Sequence, residues 1–246
     1  MDARLDQSEL DALWNFDDPI ASAERFAQAA AEPDRPELVR AELETQRARA
    51  LGLQQRFDEA EALLDSLEPG IGPLGIRIPL ERGRLRRSAD HPAEAAPFLE
   101  EALSAARRDG EVFLAVDALH MLALADPAHG EEWTAQGLAE LEDVRDARTL
   151  RWGVTLHNNR GWQLFEAARP DAALIEFAEA LRASRSVGTD DQVFWAEWAL
   201  ARCLRELGRT DEAFELQTRL AAARPEDPFV ADELAALTVV PHTIEP

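Results

Sequence analysis

The sequence predicts an all-α fold: a right-handed α-solenoid of about five to six helical hairpins with a C-terminal capping helix. Apolar residues and alanines recur at helical spacing along almost all of the 246 residues. Runs of alternating Val, Ile and Thr, which are typical of strands, are missing from the sequence. The 12 glycines and 14 prolines fall mostly between the periodic segments, which indicates short helices separated by turns.

Dipeptides that end in proline mark the starts of several helices. Asp18-Pro19 predicts one start, because Asp caps the first free N–H groups and Pro is tolerated in the first turn. His91-Pro92 and Arg169-Pro170 predict two more starts in the same way. The stretch from Leu207 to Ala213 combines a helix end, a glycine turn and an acidic helix start.

Small residues recur at matching places in successive hairpins. In the second helix of each pair they lie 35, 35, 43 and 40 residues apart, at Ala60, Ala95, Gly130, Ala173 and Ala213. Twelve residues before each of these, another small residue occupies the first helix: Ala48, Gly83, Ala118, Gly161 and Ala201. The wider spacing in the second half predicts longer helices there. Gly130 in place of an alanine leaves the register of the middle unit open.

This pattern resembles the tetratricopeptide repeat (TPR), a pair of helices that recurs about every 34 residues with small residues at these places. The best match begins at Val154 and contains Asn158-Asn159-Arg160-Gly161-Trp162, then Ala173, Phe177 and Ala180. The resemblance covers nearly the whole chain. It implies stacked hairpins whose first helices line a concave face, and a protein that binds other proteins or peptides.

A single domain is expected over residues 1–237. Residues 1–35, with a helical stretch from Leu10 to Ala31, are predicted to form a cap or half-repeat at the amino-terminal end of the array. Phe229 to Leu237 is predicted to form the closing helix, because the last hairpin otherwise exposes an apolar face. Residues 238–246 are predicted to be a C-terminal tail.

The charge of the chain argues against two classes of partner. Its 48 acidic residues and 26 arginines, with no lysine, give a formal net charge of -22. Such a chain repels the phosphates of nucleic acids and of anionic membranes, so neither is expected as a partner.

The amino terminus does not resemble a signal peptide and no apolar run reaches about 18 residues, which predicts a cytoplasmic protein. Cys203, the single cysteine, is expected to be a buried, inert thiol.

The sequence contains no convincing catalytic, metal or cofactor motif. None of its five histidines belongs to a His-Glu-x-x-His pattern. Gly70, Gly72 and Gly75 match the glycine spacing of a dinucleotide-binding loop, but no strand precedes them, so a loop between two helices is expected. The chain is therefore predicted to be no enzyme and to hold no cofactor and no metal ion.

The TPR-like register places particular side chains on the concave face. These are the residues six and three before each small residue of the first helix, and one and four after it. Leu80, Leu119 and Leu122 belong to this set, with the polar and aromatic residues named next. The predicted peptide-binding residues, which include the neighbouring Asn159, are Arg49, Arg77, Arg84, Arg87, Asn158, Asn159, Trp162, Trp195, Trp198, Arg202 and Arg205.

These residues suggest an adaptor that holds an acidic, partly apolar segment of another protein. Arginine clamps carboxylates through two hydrogen bonds, and tryptophan is a rigid aromatic anchor. In the alternative interpretation, the arginines pair with acids on their own helices, as in Glu81 with Arg84 and Glu206 with Arg202, and the tryptophans belong to the core. A sensor of a small peptide or metabolite, and a scaffold that assembles into homo-oligomers, also remain open.

Overall fold

The computed structural model describes residues 5–68, 70 and 72–239, and within this part of the chain it contains helices and no strand. The predicted all-α class is confirmed. The α-helices are α1 Gln7–Leu13, α2 Pro19–Ala30, α3 Glu37–Leu53, α4 Phe57–Asp65, α5 Pro73–Ser88, α6 Pro92–Asp109, α7 Val112–Ala125, α8 Gly130–Glu140, α9 Ala147–Leu150, α10 Trp152–Glu166, α11 Pro170–Val187, α12 Asp190–Glu206, α13 Thr210–Ala223 and α14 Pro228–Val239. A short 3₁₀ helix, Pro127–His129, precedes α8.

The chain folds as two compact units, Met1–Glu140 (unit 1) and Leu141–Pro246 (unit 2). Unit 1 contains the hairpins α3–α4, α5–α6 and α7–α8, and unit 2 contains α10–α11 and α12–α13. Each unit buries apolar clusters of its own, one centred on Leu99 and Leu119 and another on Phe177. The organisation of residues 1–237 as one domain remains a prediction.

Both ends of the array carry additional helices. At the amino-terminal end α1 and α2 pack with α3, where Leu10, Phe26 and Leu43 share one buried cluster. In unit 2, α14 closes the last hairpin, because Leu237 packs against Leu204 and Ala213. The predicted capping helix is thus confirmed. It extends to Val239, so the first two residues of the predicted tail are helical, and Val240 to Pro246 lie outside the described residues.

The small residues of the sequence pattern lie where the two helices of each hairpin meet. All ten of them, including the uncertain pair Ala118 and Gly130, are buried, as the predicted register requires. A Cβ atom on Gly161 would lie 2.6 Å from Cε1 of Phe177, and one on Gly83 would lie 2.6 Å from Cγ of Leu99. Phe177 and Leu99 follow Ala173 and Ala95 by one turn, so the small residue makes room for the bulky one.

The wider repeat spacing in the second half has two different causes. Between Gly130 and Ala173 the extra residues belong to the segment 141–151, which contains the short helix α9. The helices α8 and α10, with 11 and 15 residues, are not longer than α5 with 16, so the prediction of longer helices is wrong for this interval. Between Ala173 and Ala213, α12 with 17 residues is longer than α7 with 14 but equal to α3, so the prediction holds only against the preceding hairpin.

The turns inside four hairpins share one backbone geometry. Gln55, Asp90, Ala168 and Gly208 each precede a second helix by two residues, and their φ angles are 60°, 65°, 55° and 74°. The next residue donates its N–H to the carbonyl of the residue five positions back, for example Arg169 to Leu164 over 2.9 Å. This arrangement is a Schellman motif. The predicted turn after Leu207 is confirmed, and it alone among these four has a glycine at the left-handed position.

The predicted helix starts are also confirmed. The side chain of Asp18 accepts a hydrogen bond from the Ala21 N–H at 3.0 Å, and Pro19 stands in the first turn of α2. Pro92 and Pro170 occupy the same place in α6 and α11.

No single described helix is both long and apolar enough to cross a membrane. Val112–Ala125 and Pro127–Glu140 reach that length and composition only together, with a bend of 113° between them.

Replacing Gly161 by Ala tests the contact within the hairpin. We expect the free energy of unfolding to fall by about 1–3 kcal/mol, because the new methyl group would overlap the buried Phe177 ring. Gly153→Ala in the same helix is the matched control. Its Cβ would lie 3.8 Å or more from the nearest side chains, so we expect a gain of about 0.5–1 kcal/mol. Equal effects of the two changes in urea denaturation would contradict the packing argument.

Replacing Ala168 by Gly tests the turn. An L-residue with a side chain pays a steric cost in the left-handed region, and glycine does not, so we expect the free energy of unfolding to rise by about 1 kcal/mol. The neighbouring Ala167 has a φ of -78°, where glycine brings no such relief. Ala167→Gly should therefore lower the stability. Thermal denaturation of both variants gives the comparison, and a destabilised Ala168→Gly variant would refute it.

Candidate binding surfaces

In unit 1 two of the four predicted arginines are neutralised by the chain itself. The Nε atom of Arg77 in α5 lies 3.5 Å from Oε2 of Glu42 in α3, and both residues are almost fully buried. Arg84 lies 3.1 Å from Glu81 one turn earlier and also forms an ion pair with Asp117 of α7. The alternative prediction that Glu81 pairs with Arg84 is confirmed. Arg77 and Arg84 therefore have carboxylate partners already.

Arg49 is held by aromatic rings. Its guanidinium carbon lies 5.3 Å from the ring centre of Trp14 and 5.4 Å from that of Phe16, and these two rings stack on each other at 4.6 Å. Partial burial and the nearby charge of Arg84 lower the pKa of Arg49 to about 10. The side chain is thus a cation at neutral pH, and its orientation is set by the aromatic pair.

Arg87 is half-buried at the end of α5, and its Nε atom is buried with no hydrogen-bond partner among the described residues. Most described arginines donate to a carboxylate or to a backbone carbonyl, as Arg82 and Arg25 do. Neither Arg49 nor Arg87 has such a contact with a described residue. We call Arg49 and Arg87 the unpaired arginines of unit 1.

Helix α7 completes this side of unit 1 with Asp117 and His120. Burial opposes ionisation of Asp117, but the charges of Arg84 and Arg49 hold the pKa of this carboxyl below its ordinary value. Burial lowers the pKa of His120 to about 4. The charge of Asp117 raises the pKa of His120, and the charges of Arg84, Arg49 and Arg87 lower it further. The charges of both unpaired arginines therefore bear on the same imidazole.

The sequence pattern assigned some core residues of unit 1 to the predicted concave face. Leu119 and Leu122 of α7 and Leu80 of α5, predicted to line a groove, are fully buried in the core of unit 1. The face of α7 that meets the arginines instead carries Asp117 and His120. These are the only ionisable residues in that helix, and this isolation in an apolar stretch is the signal that could have identified them.

The aromatic surface of unit 2 consists of Trp162 and Phe165 in α10, Trp195 and Trp198 in α12 and Phe229 in α14. Ring centres are 5.5 Å apart for Trp162 and Phe165, 6.0 Å for Trp162 and Trp198, 5.9 Å for Trp198 and Trp195, and 5.8 Å for Trp195 and Phe229. Trp195 is 38% exposed and Phe229 55%, while Trp162 and Trp198 are half-buried. This continuous set of rings is partly core and partly solvent-facing.

Two arginines border this surface, and both are paired. Arg202 lies 5.6–5.9 Å from the ring centres of Trp198, Trp162 and Phe165 and donates to Glu233 of α14 at 3.0 Å. Arg205 donates to the same buried carboxylate at 2.7 Å and 3.1 Å. The predicted partner of Arg202, Glu206 on its own helix, is wrong, because α14 supplies the carboxylate.

The two predicted asparagines are half-buried on α10. Asn158 lies one turn before Trp162 and hence on the same side of the helix, and its amide makes no hydrogen bond with a described residue. Asn159 follows about a quarter-turn further round the helix. In unit 2, Trp162, Trp195, Trp198 and Arg202 lie together, and Asn158 lies one turn from Trp162.

The described residues contain no group of three or more His, Cys, Asp or Glu side chains placed to hold a metal ion. Cys203 is fully buried and its Sγ donates to the Pro170 carbonyl at 3.3 Å. Burial, with the charges of Asp171 and Glu206, raises the pKa of this thiol to about 11, which disfavours the reactive thiolate, and the predicted burial of Cys203 is confirmed. Gly72 is the N-cap of α5 and Gly75 lies in its first turn, so the predicted loop between two helices is confirmed for Gly72 and wrong for Gly75.

Comparison with solved structures identifies the type of fold. BtubC (BKLC) from P. vanneervenii superposes with a TM-score of 0.63 at 17% identity over 95% of this chain and 96% of that one. A putative kinesin light chain from Podosopora anserina, with nearly identical TPR-like repeats, superposes with a TM-score of 0.54 at 18% identity over 73% and 92% of the two chains. The chain has a TPR-like fold. No protein-family model and no curated protein matches its sequence.

The lowered pKa of His120 in α7 predicts how the stability of the protein depends on pH. Because the pKa of folded His120 is about 4 and that of an unfolded histidine about 6.5, the unfolded chain takes up this proton first as the pH falls. The free energy of unfolding should therefore fall between pH 6.5 and 4, by at most about 1.4 kcal/mol per pH unit from this residue. In urea denaturation His120→Gln should show a shallower decline than the wild type. Parallel declines would contradict the assignment.

Proposed function

We propose that this protein is a non-catalytic adaptor that binds acidic, partly apolar segments of other proteins. The observation that carries the proposal is the pair of unpaired arginines in unit 1. In a chain with 48 acidic residues and 26 arginines, a carboxylate partner from the chain itself is easy to supply. Arg49 and Arg87 nevertheless have none among the described residues, and their N–H donors remain free for a ligand.

The charges around the unpaired arginines indicate what the ligand carries. Arg77 and Glu42 cancel each other, and Arg84 faces two carboxylates, those of Glu81 and Asp117. With Arg49 and Arg87 added, four cations face three anions, so the cluster has a net charge of about +1. One carboxylate balances this charge, whereas a phosphate monoester of about -2 would overcompensate it. Arginine also suits carboxylates because its planar fork forms two parallel hydrogen bonds.

The aromatic surface of unit 2 is a separate candidate surface, for an apolar segment of a protein ligand. Tryptophans contribute strongly to binding where they are partly exposed and rigidly held, since they lose little side-chain entropy. Trp195 fits this description, because it is 38% exposed and contacts Phe194, Trp198 and Phe229 edge to face. Asn158 is a candidate for hydrogen bonds to the ligand backbone.

The TPR-like fold supports an adaptor, although a fold does not by itself determine a function. Stacked hairpins present long rows of side chains to a partner and need no enclosed cavity. An acidic exterior favours a protein partner in the cytoplasm over nucleic acid or membranes. Binding of a small peptide or metabolite as a sensor, and assembly into a homo-oligomeric scaffold, remain hypotheses.

A blocked hexaglutamate peptide tests the proposal directly. We expect it to bind, more weakly at higher ionic strength, and we expect the double variant Arg49→Gln/Arg87→Gln to bind it at least about tenfold more weakly, because charge-assisted hydrogen bonds contribute about 1.5–3 kcal/mol each. Fluorescence anisotropy of the labelled peptide measures the affinity.

Two controls sharpen this experiment. Arg56 is an exposed arginine of unit 1 that pairs with Glu59, and Arg56→Gln should bind hexaglutamate as the wild type does. A blocked hexaglutamine peptide should not bind. An affinity for hexaglutamate that is unchanged in the double variant, or reduced equally by Arg56→Gln, would exclude the unpaired arginines as the binding site.

A further inference from the structure

We propose that α14 is a displaceable intramolecular ligand, which through Glu233 occupies an acid-binding site at Arg202 and Arg205 of α12. When α14 leaves, an acidic, partly apolar segment of another protein takes its place. This inference adds a site in unit 2 to the one proposed in unit 1, and it rests on the proposed function only for the class of ligand. Three observations lead to it: the chemistry of α14, the narrow stripe that holds it and a buried amide without a partner beneath it.

The helix α14 has the composition of the proposed ligand. It carries two carboxylates, those of Asp232 and Glu233, and no basic residue. Its large apolar side chains are Phe229, Val230, Leu234, Leu237 and Val239. Glu233 is 4% exposed and accepts hydrogen bonds from Arg202 at 3.0 Å and from Arg205 at 2.7 Å and 3.1 Å. The chain thus supplies from α14 the carboxylate that these two arginines are predicted to take from a partner.

A single stripe of side chains holds α14. Its buried residues among those described are Val230, Glu233 and Leu237, and their spacing of three and four places them on one face of the helix. Val230 and Leu237 pack against α12 and α13 on either side of the Glu233 carboxylate. The opposite face is exposed at Ala231 and Ala235. An element held by so few buried contacts belongs to those that open first in a native protein.

A buried amide beneath α14 has no hydrogen-bond partner. Gln217 of α13 is fully buried, and neither its Nε2 nor its Oε1 atom bonds to a described residue. It lies one turn from Ala213 and one turn from Leu220. Because these two residues pack against α14, α14 covers this face of α13. A buried amide without a partner is destabilising, since it has lost its hydrogen bonds to water. Opening of α14 hydrates Gln217, and this favours the displaced state.

The charges that α14 leaves behind determine what replaces it. Arg202 and Arg205 lie three residues apart on one face of α12 and share the single carboxylate of Glu233. Removing one partner of such a pair is strongly unfavourable, so an entering segment has to bring a carboxylate. It also has to bring apolar side chains about one turn to either side, where Val230 and Leu237 lie. A short amphipathic helix with an acid between two apolar residues meets both conditions.

A blocked peptide with the sequence of residues 227–239 is the probe, and the whole chain is its target. The wild type should bind it weakly, because the tethered α14 competes at an effective concentration of about 1 mM. In the variant Glu233→Gln the tethered helix loses its charge-assisted hydrogen bonds, while both arginines stay. We therefore expect the peptide to bind this variant at least about tenfold more tightly than the wild type. A merely structural ion pair predicts no such gain. Fluorescence anisotropy of the labelled peptide measures both affinities.

Two further variants test the assignment of this gain. Asp232→Asn is the matched control, because Asp232 is the exposed neighbour of Glu233 on the same helix, and it should leave the peptide affinity unchanged. Adding Arg202→Gln/Arg205→Gln to Glu233→Gln should remove the gain, because the site itself is then lost. No gain in Glu233→Gln, an equal gain in Asp232→Asn, or a gain that survives without the two arginines would overturn the proposal.

Circular dichroism shows whether each variant is folded. If Glu233→Gln is not, Leu237→Ala decides in its place, since it removes an apolar contact of α14 and leaves both arginines intact. We expect the same gain in peptide affinity from Leu237→Ala, and an unchanged affinity would count against a displaceable helix.

The peptide is itself acidic, so its binding has to be separated from the unpaired arginines of unit 1. The gain from Glu233→Gln should persist when Arg49→Gln/Arg87→Gln is present. Loss of the gain in that background would assign the peptide to unit 1 and refute the site in unit 2. Hexaglutamate binding to the wild type tests the proposed function by itself, so either proposal can fail while the other stands.

Discussion

The contact between a small residue in the first helix of a hairpin and a bulky residue in the second is the constraint on which this structure depends. Gly161 faces the ring of Phe177 and Gly83 faces Leu99, in both cases with no room for a further carbon atom. Such contacts set how closely the helices approach and which residues point away from the hairpin. Phe177 also packs edge to face with Trp162 at 4.9 Å, so the contact inside the hairpin helps to position the aromatic surface.

Burying arginines in an acidic chain has a physical cost that most of them avoid by pairing. A guanidinium removed from water is unfavourable unless it finds a carboxylate, a carbonyl or an aromatic face. Arg77, Arg84, Arg202 and Arg205 find carboxylates, and Arg49 finds the face of Trp14. Pairing with a carboxylate of the chain makes an arginine structural, so while α14 is in place only those without such a carboxylate remain candidates for binding an anion.

The two units consequently offer different chemistry. Unit 1 has free positive charge beside buried ion pairs, where one carboxylate restores neutrality. Unit 2 has exposed rings beside two arginines that are already paired with Glu233. An acidic segment would match unit 1, and an apolar segment would match the exposed rings of unit 2.

The sequence by itself determined the hairpins, their register, the turns and the capping helix. Each of these follows from local patterns: helical periodicity, small residues twelve positions apart, and proline or glycine at helix ends. It could not show which arginines are paired between helices, because those partners lie far along the chain: Asp117 is 33 residues from Arg84, and Glu233 is 28 from Arg205. Nor could it show that α7 turns Asp117 and His120, and not Leu119 and Leu122, toward the arginines. Those outcomes were decided by the tertiary structure, because the stacking of neighbouring hairpins determines which side chains of distant helices meet.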